Sequence, residues 1–173
     1  MTLKTLKPLM PSTPPKPSDT TAQTLLRLLR QHGYTFASAE SCTGGNIAHT
    51  VTEIPGCSDV MLGAVVSYCN DVKHKILHVS SEALSAHGAV SEPVVRQMAE
   101  GVRQALGADC SVATSGIAGP GGAVPGKPVG TVWIAASTPS ETVACRMHFD
   151  GGRSEVISQA TDAAIEMLCG LLA

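Results

Sequence analysis

The sequence predicts an α/β fold, a three-layer α/β/α domain with a mixed, mainly parallel sheet. Three observations carry the prediction. Helical and strand periodicities alternate along the chain. Two apolar runs, Met61 to Tyr68 and Cys110 to Ser115, have polar boundaries, as strands covered on both faces do. Gly33, Pro55-Gly56 and the glycine-rich stretch 116–128 punctuate the pattern between elements. The 173 residues, 43% hydrophobic and 15% charged, are enough for one globular domain with a sizeable core.

The elements follow in order. Residues 1–18 contain five prolines and three lysines and read as a flexible N-terminal arm, which leaves 19–173 as the folded domain. Asp19 or Thr20 is placed to cap a first helix, in which Ala22, Leu25, Leu26 and Leu29 keep helical spacing until Gly33 stops it. Tyr34 to Ala39 reads as a short strand, and Gly45 to Glu53 as a helix leaving a glycine turn. The Met61 strand follows, then a short helix from Val72 to Leu77. Ser91 is placed to cap a helix running to Leu106, with Val95, Met98, Ala99, Val102 and Leu106 on one face. After the Cys110 strand and the 116–128 loop, Val129 to Ala136 and Thr142 to Phe149 read as an antiparallel pair. The last helix spans Arg153 to Leu171 and is expected to bury Val156, Ala160, Ala164, Met167, Leu168 and Leu171.

Composition excludes several functions. Net charge is −2 and only five residues are aromatic (one Trp, two Tyr, two Phe), which suits neither nucleic acid nor an anionic membrane. No apolar run approaches the roughly 20 residues that span a bilayer, and the N-terminus lacks the apolar core of a signal peptide, so a cytoplasmic location is expected. The six cysteines are scattered without close pairing and read as reduced thiols. No CxxC, HxH or HExxH spacing occurs, so no dedicated metal site is expected. The partner class that remains is a small molecule, with self-association into a homo-oligomer expected from the apolar composition and small size.

In an open α/β sheet ligands gather at the carboxyl ends of strands. Three loops emerge at such ends: 40–45, 68–75 and 115–127. In the first, Glu40-Ser41-Cys42-Thr43-Gly44-Gly45 puts a hydroxyl at a strand-to-helix turn. The backbone amides of Cys42, Thr43, Gly44 and Gly45 can there cradle a phosphate or stabilise an oxyanion. A helix-capping serine is the plainer reading of Ser41, but Thr43 already offers a cap. A serine nucleophile needs a base, and none of the six histidines falls in a glycine-rich turn. The second loop supplies Tyr68 and Lys73; a lysine near a strand end can be desolvated into a base, though Lys75 competes for the role. In the third loop Ser115 and Gly116 open a possible second cradle. Arg153, at a helix N-terminus where the dipole disfavours it, is suited to an anionic ligand.

These residues carry a resemblance. Ala39-Glu-Ser-Cys-Thr-Gly-Gly resembles the signature of the CinA C-terminal domain family, the nicotinamide-nucleotide amidohydrolases. Val66-Ser-Tyr with Lys73, Leu77 and Val79, then Gly88-Ala-Val-Ser with Met98-Ala-Glu-Gly, then Gly116-Ile-Ala-Gly-Pro with Lys127-Pro-Val-Gly-Thr-Val, resemble the family's later blocks in order. The likeness runs over residues 20–172. It implies an amidase that converts nicotinamide mononucleotide to nicotinate mononucleotide and ammonia in NAD recycling, with no cofactor. It also implies a Ser, Tyr and Lys set, which falls on Ser41, Tyr68 and Lys73 and selects Lys73 over Lys75. Two positions depart from the pattern: Ser115 stands where the family usually has Thr, and Ile157 where it often has a second Arg. The chain is expected to be a stand-alone form, without the large N-terminal domain of longer relatives. Two other functions compete with this one: a catalytically silent nucleotide-binding module, and a metal-dependent pyrophosphatase. The second needs clustered carboxylates, which Glu40, Asp59 and Asp71 do not form in sequence.

Overall fold

The computed structural model describes residues 19–173, so the arm expected at 1–18 lies outside the described residues. Twelve elements follow in order: α1 (Thr21–His32), β1 (Phe36–Glu40), α2 (Asn46–Thr52), a single 3-10 turn (Cys57–Asp59), β2 (Met61–Val66), α3 (Asn70–Leu77), α4 (Ser81–His87), α5 (Glu92–Leu106), β3 (Cys110–Gly116), β4 (Thr131–Ser137), β5 (Thr142–His148) and α6 (Arg153–Leu172). One five-stranded sheet has the order β2-β1-β3-β4-β5. Strand β1 pairs in parallel with β2 and β3, while β3–β4 and β4–β5 are antiparallel. The sheet is mixed as expected, with its parallel and antiparallel pairings in equal number.

Side-chain alternation along the central strands divides the core into two layers. Phe36, Cys110, Val112, Val132, Ile134 and Ala136 face α1, α2 and α6. Ala37, Ala39, Ala113 and Ala135 face α5 and the residues that anchor α3 and α4. Small alanines on that second face let α5 lie close to the sheet. Helix α1 starts with a reciprocal cap, Thr20 Oγ1 accepting from the Gln23 amide and Gln23 Oε1 from the Thr20 amide, and ends at Gly33 in the left-handed region.

Several expectations need correction. Strand β2 is an edge strand, and its exposure alternates, leaving Leu62 and Val66 about half exposed. An apolar run is the mark of burial only when helices cover both faces; here the short α2 does not reach over Leu62, Ala64 and Val66. Helix α4 was not anticipated: seven residues capped by the Ser80 hydroxyl carry too short a periodic signal. Ser91 is the N-cap residue of α5, but its hydroxyl donates to the Gly88 carbonyl instead of accepting from the helix. Leu106 is only half-buried, and α6 is rotated so that Thr161, Ile165 and Leu172 are buried while Met167 and Leu171 sit at the margin.

Candidate active site

The three loops do converge. A cavity of about 230 Å³ opens at the carboxyl ends of β1, β2 and β3. Ser41, Cys42, Tyr68, Lys73, Ser115, Gly116 and Arg153 line it, as the sequence places them. Asn70, Ala89, Val90 and Ala118 complete the wall and were not singled out; Asn70 lies three residues before Lys73 on α3, a spacing that puts both on one helix face. No histidine lines the cavity.

Lys73 is the unusual residue. It is 1% exposed, yet among the described residues its ammonium meets no carboxylate. Its Nζ donates to Ser41 Oγ at 3.1 Å and to the Ser67 carbonyl at 2.6 Å. Burial lowers its pKa from the ordinary lysine value. Lys75, its competitor in sequence, points outward and pairs with Asp71 at 3.2 Å with most of its side chain in solvent.

The turn that carries Ser41 is built by Glu40, whose importance the sequence reading missed. Glu40 is fully buried. Its carboxylate accepts from the hydroxyls of Ser38 and Thr43 and from the amides of Gly45, Ile47 and Ala48, all within 3.1 Å. It thus occupies the N-terminus of α2, the position where a ligand anion was a candidate. A phosphate brought beside this buried negative charge would be repelled. The signal was present in sequence, a carboxylate five residues before the glycine that opens a helix, but it resembles any acidic residue near a helix start.

Of the turn residues expected to bind, Gly44 and Gly45 have their amides taken up within the turn, while the Thr43 amide is left free among the described residues. None of these three lines the cavity. Thr43 is buried, with its hydroxyl between Glu40 and Thr114; the Gly44 amide donates to the Ser41 carbonyl and the Gly45 amide to Glu40. The turn's remaining amides, those of Cys42 and Thr43, have no acceptor among the described residues. Cys42 does not compete with Ser41 as nucleophile, because burial pushes its thiol up to about 11.

Tyr68 also differs from expectation. It is 62% exposed, and its hydroxyl accepts from Arg153 Nη2 at 2.8 Å rather than meeting Ser41 or Lys73. Arg153 Nη1 donates to the Gly119 carbonyl at 2.8 Å, so the guanidinium is fixed across the mouth of the cavity. Ser115 Oγ donates to the Ala89 carbonyl, and the space beside Gly116 is filled by Thr131 and Val132. All six cysteines are free thiols. Among the described residues no group of three His, Cys, Asp or Glu side chains is placed to hold a metal ion, and no helix is long and apolar enough to cross a membrane.

Comparison with known proteins agrees with the motifs. Residues 18–172 match the model of the CinA C-terminal domain. A CinA-like protein of Prochlorococcus marinus is 48% identical over 141 residues, covering 82% of this chain and 33% of the relative. One of Salinibacter ruber is 48% identical over 149 residues, covering 86% of this chain and 36% of the relative. The chain thus spans about a third of the length of these curated relatives. Among solved structures, the competence/damage inducible protein CihA of Agrobacterium tumefaciens superposes with a TM-score of 0.85 at 39% identity, covering 88% of this chain and 94% of that one.

Proposed function

The chain belongs to the CinA C-terminal domain family, and on that footing we propose that it is a serine amidase which deamidates nicotinamide mononucleotide, as a step of NAD recycling. The observation that supports the reading best is the contact between the buried, carboxylate-free Lys73 and the Ser41 hydroxyl at 3.1 Å. A neutral amine there can take the serine proton, and burial is what favours the neutral form.

The chemistry follows. Lys73 Nζ accepts the proton as Ser41 Oγ bonds to the carboxamide carbon. The carbonyl oxygen becomes an oxyanion, for which the amides of Cys42 and Thr43 are the available donors in the turn. The C–N bond breaks, Lys73 returns its proton to the leaving nitrogen, and ammonia departs. Water, deprotonated by Lys73, then attacks the acyl-serine and releases nicotinate mononucleotide and the free hydroxyl.

The cavity is smaller than the usual ligand pocket of roughly 300 Å³ or more. It suits the pyridine carboxamide, with ribose and phosphate crossing the rim. Arg153 and Tyr68 stand there, so the guanidinium takes the 5′-phosphate and the tyrosine flanks the sugar instead of relaying a proton. A silent binding module would have no use for an ammonium buried without a counter-charge, which costs stability. Ammonia release from the mononucleotide, the riboside and free nicotinamide tests the reading, with Ser41→Ala beside the parent. Loss of one member of a nucleophile–base unit costs on the order of 10³-fold or more. A Ser41→Ala protein that still releases ammonia at near the parent rate refutes the mechanism.

A further inference from the structure

We propose that Glu40 is a positioning residue that holds the nucleophile and its base in register. The inference rests on the assignment of Ser41 and Lys73 above, and it starts from the two ends of one residue. Through its carboxylate, Glu40 gathers Ser38, Thr43 and three amides of the α2 start, and Thr43 in turn meets Thr114 Oγ1 at 2.8 Å. Ser41 lies between Glu40 and Thr43, and its own amide donates to the Thr114 carbonyl at 3.0 Å. The nucleophile therefore hangs in a loop closed on both sides by Glu40 and Thr114.

Through its carbonyl, Glu40 accepts from the Ser67 amide at 2.8 Å and lies 3.5 Å from the Ser67 hydroxyl. The Ser67 carbonyl is the second acceptor for Lys73 Nζ. One residue thus fixes the serine turn with its side chain and the lysine anchor with its main chain. A residue that only capped α2 would need neither Thr43 nor Ser67.

The chemistry of the carboxylate makes the arrangement testable. Oε2 accepts from three donors and Oε1 from two. A carboxamide of the same shape must turn an NH2 toward one of those sets, so at least one main-chain amide, that of Ala48, faces a donor while a hydroxyl turns round to accept. Glu40→Gln changes no volume, yet it forces the turn to rearrange, and Ser41 moves with it. Misplacement of a reacting group by about 1 Å costs about 10²-fold in rate.

The readout is the second-order rate at which an alkyl fluorophosphonate labels Ser41, located by peptide mass spectrometry and measured without any amide substrate. Parent, Glu40→Gln, Thr43→Val and Ser41→Ala are compared, each with a thermal unfolding curve. Glu40→Gln is expected to label about 10²-fold more slowly in a cooperatively folded protein. Thr43→Val, which removes one link, is expected to slow about tenfold. For nicotinamide mononucleotide kcat falls by the same factors at an unchanged KM. A purely structural role lowers the unfolding temperature and leaves the labelling rate of the folded protein alone. A folded Glu40→Gln protein labelled within about twofold of the parent overturns the proposal. Where Glu40→Gln does not fold, Thr43→Val at the parent rate overturns it. Labelling in the expected order without turnover of the mononucleotide supports the positioning role and refutes only the substrate. A parent whose Ser41 does not label refutes the nucleophile and this proposal together.

Discussion

Gly101 offers a test of the base from a distance. It lies inside α5, where glycine costs a helix about 1 kcal/mol relative to alanine. The cost is borne because α3 ends against it. A Cβ on Gly101 would overlap the Leu77 carbonyl oxygen and stand 2.8 Å from the carbonyl carbon. Bringing that carbon to the 3.4 Å at which ordinary contact begins takes a retreat of 0.6 Å, and the oxygen, nearer still, demands more. The obstacle is backbone, so α3 itself must move by about 1 Å. Leu77 is the last residue of α3, and Lys73 sits about one turn before it. The 3.1 Å contact to Ser41 then opens beyond hydrogen-bond reach. Gly101→Ala is therefore expected to lower kcat about 10²-fold. Stability falls by no more than about 2 kcal/mol, since overpacking of about 1–3 kcal/mol is offset by about 1 kcal/mol from the better helix former. Ammonia release against substrate concentration, with an unfolding curve on the same preparation, measures both. A folded Gly101→Ala enzyme with kcat within about twofold of the parent refutes the claim that α3 is placed by this contact.

Other predictions follow from the same geometry. Lys73→Met is expected to be inactive at every pH, while Lys75→Met keeps the parent profile because Lys75 pairs only with Asp71 at the surface. The rising limb of kcat/KM against pH reports the free Lys73 amine and lies below the ordinary lysine value of 10.5. Folded Lys73 gives up its proton at lower pH than unfolded Lys73, so unfolding takes up a proton between those two values; stability gains with pH across that window, and Lys73→Met lacks the gain in denaturant titrations at stepped pH. Arg153→Ala is expected to raise KM for the mononucleotide at least about tenfold, the worth of one charged hydrogen bond, and to leave KM for free nicotinamide unchanged; equal effects on both would move the phosphate elsewhere. For the expected self-association we propose the uncharged β2 edge, so Leu62→Glu is expected to shift sedimentation equilibrium toward monomer, and a parent that sediments as a monomer overturns this.

What was legible in the sequence was what chemistry makes local. Ser41 before a double glycine, and Lys73 on the first turns after a strand, declare themselves by residue type and spacing. What was hidden depends on who stands opposite. Glu40 is recognisable as an anchor only once five donors from three segments surround it, and any one of them could have faced elsewhere. Tyr68 was placed beside the serine because its strand position allowed it; Arg153, 85 residues away, draws its hydroxyl to the rim. The exposed face of β2 escaped notice for a related reason: an apolar strand carries no record of whether a neighbouring helix is long enough to cover it. Gly101 reads as a weak helix position until Leu77 is seen against it.

Glu40 and Lys73, both buried, are treated in opposite ways by the groups around them. Glu40 receives five hydrogen-bond donors, which suits an anion that must persist. Lys73 receives two oxygen acceptors and no carboxylate, which leaves desolvation the largest influence on it. Had the Glu40 carboxylate been turned toward Lys73, an ion pair would have stabilised the ammonium and removed the base. The strand-to-helix turn prevents this by sending the Glu40 side chain into α2 while its carbonyl reaches Ser67. The glycine turn therefore matters less as a cradle for a ligand than as a device that spends the helix N-terminus on Glu40, keeps that charge away from the amine, and leaves Ser41 between them.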